Sequence, residues 1–224
     1  MGLSNNQPQS TYCTASNGKI RIRVNEPCEG SVTRKLTMGE NAGQEIHELV
    51  YDKLDGHLVH VELKEGKYGD QWVFVIQDPE DGKRYTLQFG HTSTSAMRII
   101  NQLCSSAFDP TKIIVVKPYD FISKEGKQVV GVNVWQGEKL PFAYGTNSRP
   151  IEGLPQMPDW ELVKINNKEQ FDKGAQLEFL ANAVATVLAP KVNAVHKSSA
   201  AQVPVASVEE APKVEAEEFD DVPF

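Results

Sequence analysis

Three aromatic side chains set among cations are the chain's main chemical signal. Trp72 opens the stretch QWVFVIQ (71–77), Lys83, Arg84 and Tyr85 open KRYTLQFG (83–90), and Trp135 ends QVVGVNVWQ (128–136). Just before the first of them, KEGKYG (64–69) carries Lys64, Lys67 and Tyr68, and just before the last, SKEGK (123–127) carries Lys124 and Lys127. An aromatic face can stack on a flat heterocycle, and an ammonium or guanidinium can hold a phosphate. A single strand of nucleic acid needs both from its binder. Arg21 and Arg23 alternate with Ile20, Ile22 and Val24, so they share one exposed face and extend the cationic surface. Trp72, Phe74, Leu87 and Phe89 also fit a buried core. Trp135 fits one less well, because Val130, Val132 and Val134 already supply an apolar face to its strand.

Other chemistries have less support. His57 and His60 stand near Glu62, but residues three apart on a strand point to opposite faces, which argues against shared metal ligation. No nucleophile motif, P-loop or GxGxxG occurs. The expectation is a protein that is not an enzyme, with no cofactor and no bound metal. Cys13, Cys28 and Cys104 are odd in number and irregularly spaced, which suits free thiols better than a disulfide framework or a zinc site.

A net charge of −7 looks unsuited to a nucleic-acid binder, but it is unevenly placed. Residues 192–224 hold two lysines against seven carboxylates, a net −5, which leaves the remainder close to neutral. A nearly neutral body can still carry a basic groove. The chain is 40% hydrophobic, enough for a core, and no apolar run is long enough to span a membrane. The N-terminal MGLSNNQPQS lacks a secretory apolar stretch, so the expectation is a soluble cytoplasmic protein.

The elements that must carry these residues can be read from period. Alternation predicts strands over 20–24, 31–37, 57–64, 71–77, 83–90, 112–122 and 128–136, with 45–53 open between strand and helix. DPEDG (78–82) joins the strands 71–77 and 83–90 into a hairpin. Thr92, Ser93 and Thr94 offer N-caps to a helix bearing Ala96, Ile99, Ile100, Leu103, Cys104 and Ala107 at helical spacing. Pro118 marks its strand as an edge or a bulge. Residues 137–158 read as a long loop and 169–188 as an amphipathic helix, stopped by Pro190, that fits either packing on the body or a homo-oligomer interface.

From 57 to 136 the order is three strands, a helix and two strands. That is the element order of an OB-fold, a five-stranded Greek-key barrel. The predicted architecture is therefore mainly β (α+β), with extra strands before the barrel and a C-terminal amphipathic helix after it. Residues 1–18 form a flexible arm, 19–190 the barrel domain with its helix, and 191–224 a disordered linker and acidic tip.

The chain ends EEFDDVPF, with Phe219, Val222, Pro223 and Phe224 set among Asp220 and Asp221. These last residues resemble the terminal motif of bacterial single-stranded DNA-binding proteins, which close on aspartates, an aliphatic residue and Pro-Phe. The resemblance implies sequence-independent single-strand binding in DNA replication, recombination and repair. It also implies that Asp220, Asp221, Pro223 and Phe224, with Phe219 and Val222 secondary, dock onto a polymerase subunit, helicase, nuclease or recombination mediator. The strands before the barrel, the long loop and helix after it, and an Ala/Val/Pro-rich linker depart from the bacterial pattern. They make the chain look more like a bacteriophage single-stranded DNA-binding protein with a host-type tail. The alternative is an OB-like structural or protein-interaction module that does not bind nucleic acid.

Overall fold

The computed structural model describes residues 10–37, 41–66, 69–165 and 168–196. The expectations for the flexible arm before Ser10 and for the acidic tip (Phe219, Asp220, Asp221, Val222, Pro223, Phe224) lie outside the described residues, as do those for Lys67 and Tyr68.

The protein is mainly β. Its strands are β1 (Thr11–Ser16), β2 (Lys19–Val24), β3 (Ser31–Lys35), β4 (Glu45–Tyr51), β5 (Leu54–Lys64), β6 (Gln71–Gln77) and β7 (Arg84–Gly90). Helix α1 (Thr94–Leu103) follows, then β8 (Ile114–Ile122), β9 (Gln128–Gln136) and the two-residue β10 (Glu138–Lys139). These ten strands form one mixed sheet in the order β10-β9-β8-β5-β6-β7-β1-β2-β4-β3. Only the β1–β7 pair is parallel.

The sheet curls because β5 serves two neighbours. Leu54–Gly56 pair with β8, and His57 onward pairs with β6. The bend falls at Gly56, where a β-carbon would stand 2.8 Å from the Ile76 side chain and 2.9 Å from the Gln77 carbonyl carbon. Only glycine lets the two strands approach this closely. At the other end of the curl, the β1–β2 turn reaches β8. A β-carbon on Gly18 would lie 3.0 Å from the Asp120 nitrogen, although β2 and β8 are far apart in the ladder. The enclosed core joins Ile20, Leu58, Trp72, Phe74, Leu87, Ile114, Val132 and Val134 from the sheet to Ile99, Ile100 and Leu103 of α1.

Most expected elements form where alternation placed them, and the ambiguous 45–53 segment is strand. Pro118 sits where β8 has β9 as its partner but has run past β5, so its missing N–H interrupts no ladder there. Part of the expected N-terminal arm is β1, whose Cys13 is buried in the core opposite Leu87. A strand of Thr, Tyr, Cys and Ala is too weakly apolar to stand out by period.

The C-terminal region differs from expectation. The predicted loop holds the short pair β11 (Gly145–Thr146) and β12 (Gln156–Met157). A hairpin follows, β13 (Glu161–Ile165) and β14 (Lys168–Asp172), so Phe171 is a strand residue whose ring lies tilted against Trp160, with centroids 5.9 Å apart, rather than part of a helix stripe. Helix α2 (Gly174–Ala183) passes through a π-helical turn (Val184–Leu188) into α3 (Ala189–His196). Pro190 does not stop it. The wide turn re-registers the backbone so that proline falls in the first turn of α3, where no intrahelical N–H is required. Leu177, Leu180, Val184, Leu188 and Val192 are buried and pack on the core, so this face covers the body. The helix also extends past the boundary expected at residue 190. No helix among the described residues is long and apolar enough to cross a membrane.

Candidate functional site

β8 and β9 form a hairpin in which the side chains of one face build the core and those of the other build a cleft. Register places Val116 opposite Val134 and Pro118 opposite Val132, all four buried. The alternate residues face away: Lys117 opposite Asn133, Tyr119 opposite Gly131, Phe121 opposite Val129, and Val115 opposite Trp135. Of these, Lys117, Tyr119, Phe121, Val129, Asn133 and Trp135, together with Pro118, Arg98 from α1 and Lys139 from β10, line an open cleft of about 390 Å³. Among the described residues that line it, none is acidic.

Each aromatic group is held in place by a specific contact. Tyr119 lies across Gly131, where a β-carbon would stand 2.6 Å from the tyrosine ring. Phe121 neighbours it with ring centroids 5.8 Å apart and remains 52% exposed. Trp135 is half-buried, and its Nε1–H is buried with no acceptor among the described residues. Its strand is anchored by Gln102, a fully buried residue of α1. The Val134 N–H donates to Gln102 Oε1 at 2.9 Å, and Gln102 Nε2 donates to the Leu140 carbonyl at 2.8 Å. These two bonds clamp the β9–β10 turn that carries Trp135 and Lys139.

The cations are also positioned. α1 begins at Ser93, whose hydroxyl accepts from the Ala96 N–H, and its buried face of Ala96, Met97, Ile99, Ile100 and Leu103 leaves Arg98 toward the cleft. The Arg98 Nε donates to Asn133 Oδ1 at 3.1 Å. Its guanidinium carbon lies 4.9 Å from the Phe142 ring centroid and 6.0 Å from that of Tyr119. The Lys139 ammonium is held below the ordinary lysine range by partial burial and by the Arg98 charge. Such a surface can stack flat rings and neutralise anions.

The sequence-predicted residues do not gather in one place. Trp135 lines the cleft. Lys124 and Lys127 are exposed in the turn of the same hairpin, beyond the Phe121–Val129 pair. Exposed Arg23 lies on β2, the strand that rests against β8. Arg21, on the same strand, is half-buried and bonded to Glu48 at 2.9 Å. Lys64 is exposed at the far end of β5. Lys83 is paired with Asp81 at 2.6 Å, and that carboxylate raises the lysine's pKa. Arg84 and Tyr85 are half-buried beside it, with burial raising the Tyr85 hydroxyl. Lys64 and Arg84 flank opposite ends of β6, about 20 Å apart at roughly 3.3 Å per residue.

Trp72 is corrected to a core residue. It is fully buried and donates its indole N–H to the His91 carbonyl at 3.1 Å, so it offers no ring face to a ligand. Phe74, Leu87 and Phe89 are buried with it. Both faces of QWVFVIQ are apolar, and alternation alone could not say which one turned inward.

Sequence reasoning missed Arg98, Lys117, Tyr119, Phe121, Asn133 and Lys139. The strand residues had a signal: Lys117, Tyr119 and Phe121 alternate with buried Val116 and Pro118. Arg98 and Lys139 had none, because they reach the cleft through tertiary contacts.

The argument that separated His57 from His60 is also corrected. A β-bulge between Leu58 and His60 shifts the register, so that both histidines fall on the outer face. They still diverge in partner. His60 faces Glu62 at 3.3 Å, and His57 stands against His196 with ring centroids 6.4 Å apart. Among the described residues no three His, Cys, Asp or Glu side chains are grouped to hold a metal ion. Comparison of the chain with protein-family models, curated proteins and solved structures finds no match.

Proposed function

We propose that the protein binds single-stranded DNA without sequence preference through the β8–β9 cleft, and that its acidic segment recruits replication and repair proteins. The observation that carries the first part is the grouping of Trp135, Tyr119 and Phe121 with Arg98, Lys117 and Lys139 in one cleft whose described lining contains no carboxylate. Bases would stack on the rings while their phosphates meet the cations. Nothing in the lining reads one base against another by shape, which fits a sequence-tolerant binder. Lys124, Lys127 and Arg23 would extend the phosphate path on either side.

The reading includes an OB-type barrel. The run β9-β8-β5-β6-β7 is the strand order expected of such a barrel opened along the seam between its third and fifth strands. α1 lies between the third and fourth of them in sequence and packs on β9 at that seam. The binding surface then differs from the one anticipated on β6 and β7, because their aromatic face is the core.

The test is a titration of tryptophan emission with a single-stranded oligonucleotide and with a duplex of the same length, at low and moderate salt. Quenching by the single strand, weaker with salt and absent in Trp135→Phe, is the expected result. No response to either ligand would overturn the proposal. For the recruiting segment, deleting residues 219–224 is expected to abolish binding to a single-strand-dependent helicase, nuclease, polymerase or recombination mediator while oligonucleotide binding persists.

A further inference from the structure

We infer that the β8–β9 cleft takes a single strand in a fixed register, drawn out along the hairpin. Two neighbouring bases lie on Phe121 and Tyr119, the next base is left unstacked, and the one after it lies on Trp135. The inference deepens the proposed single-strand site and rests on that reading.

The outward face of the hairpin is a ladder of paired residues. In order along it come Val115–Trp135, Lys117–Asn133, Tyr119–Gly131 and Phe121–Val129. Adjacent rungs are two residues apart, about 6.6 Å along the strand. The rings follow that spacing, since the Tyr119 and Phe121 centroids are 5.8 Å apart. Stacked nucleotides in a duplex strand advance by about 3.4 Å, half of one rung. A strand that sets its bases on successive rungs is therefore unstacked and drawn out about twofold, one nucleotide to a rung.

The Lys117–Asn133 rung breaks the row of rings. It offers no aromatic face, the Asn133 side chain is engaged by Arg98, and Lys117 is exposed there. That rung suits backbone instead of base. Trp135 resumes the stacking surface one rung further on, with exposed Lys139 as its ladder partner on β10. Tyr119 is fixed as a platform by Gly131 behind its ring. The order of rings and cations is asymmetric. Turning the strand end for end while keeping its bases on the rings would carry its phosphates away from Lys117 and Lys139, so the register has one polarity.

The test uses end-labelled octadeoxynucleotides that are abasic outside a central block of four positions, so that every ligand keeps the same phosphates. Written 5′ to 3′ with x for an abasic site, the blocks are TTTT, TTxT and TxTT. Binding to the full chain is followed by fluorescence anisotropy. One of TTxT and TxTT is expected to bind as tightly as TTTT, and the other at least fivefold more weakly. Which one binds gives the polarity. Phe121 is exposed, so Phe121→Ala leaves the fold intact. It leaves two rings one rung apart, which both interrupted blocks can fill, and should make the two bind equally. Equal binding of TTxT and TxTT by the wild type, with octathymidylate still bound, would overturn the register and leave the single-strand site standing. A difference between them that survives in Phe121→Ala would overturn it as well. If octathymidylate also failed to bind, the single-strand reading would fall and the register with it.

Discussion

Tyr119 and Gly131 face each other across β8 and β9, and the tyrosine ring occupies the space that a β-carbon on residue 131 would need. The glycine is what allows an aromatic face to lie along the strand beside Phe121. Gly131→Ala should push the ring outward, costing about 1–3 kcal/mol of stability as an overpacked contact. It should also weaken oligonucleotide binding several-fold. Urea denaturation and the oligonucleotide titration on the same variant check both effects.

Trp135 and Trp72 should respond in opposite ways to truncation. Trp135→Ala removes a stacking face and is expected to cost about 1–3 kcal/mol of single-strand binding with little change in Tm. Trp72→Ala empties a core position and should cost about 3–5 kcal/mol of stability. Paired melting and binding measurements distinguish the two roles.

Lys117 is exposed on the cleft face and Lys124 in the turn beyond it. If each meets a phosphate, Lys117→Gln and Lys124→Gln should each lower the slope of log K against log salt by about 0.7, the value for one contact to a single strand. Binding isotherms at four or five salt concentrations give the slope. An unchanged slope in either variant takes that lysine off the phosphate path.

Gln102 satisfies the Val134 N–H and the Leu140 carbonyl from a fully buried position. Gln102→Leu keeps the volume and leaves both backbone groups unpaired, at about 1–3 kcal/mol each. Stability should fall, and the β9–β10 turn should loosen. Faster hydrogen exchange at Val134 and Leu140 is the specific sign.

Glu48 carries a pH-dependent share of the stability. Burial pushes its carboxyl up, but hydrogen bonds from Arg34 and Arg21 outweigh burial and hold it below the usual glutamate range. A carboxyl depressed in the fold stabilises above its unfolded value and loses that contribution as pH falls through the folded value. Unfolding should therefore become easier as pH drops below about 4.3. Glu48→Gln should be less stable at pH 7, by about 3 kcal/mol for a broken buried pair, and should show a flatter acid limb. Melting curves from pH 3 to 7 test the sign.

Local period made much of the β-rich body legible. Val130, Val132 and Val134 occupy one face of β9, so Trp135 had to face the other way, and the sequence alone was enough to place it off the core face. Ser93 and the apolar spacing after it specified α1 in the same manner. These features are set within a few residues by the two-residue repeat of a strand and the turn of a helix. Period could not decide β6, where Trp72 and Val73 sit on faces of similar apolarity. The curled sheet chose the tryptophan face for its interior. Nor could it place Arg98 and Lys139 beside Trp135. That grouping exists only because α1 packs on β9 through Gln102, and because β10 folds back on β9. Each of those contacts is non-local, and burial around a shared core, not the pattern of any one segment, decides which side chains meet.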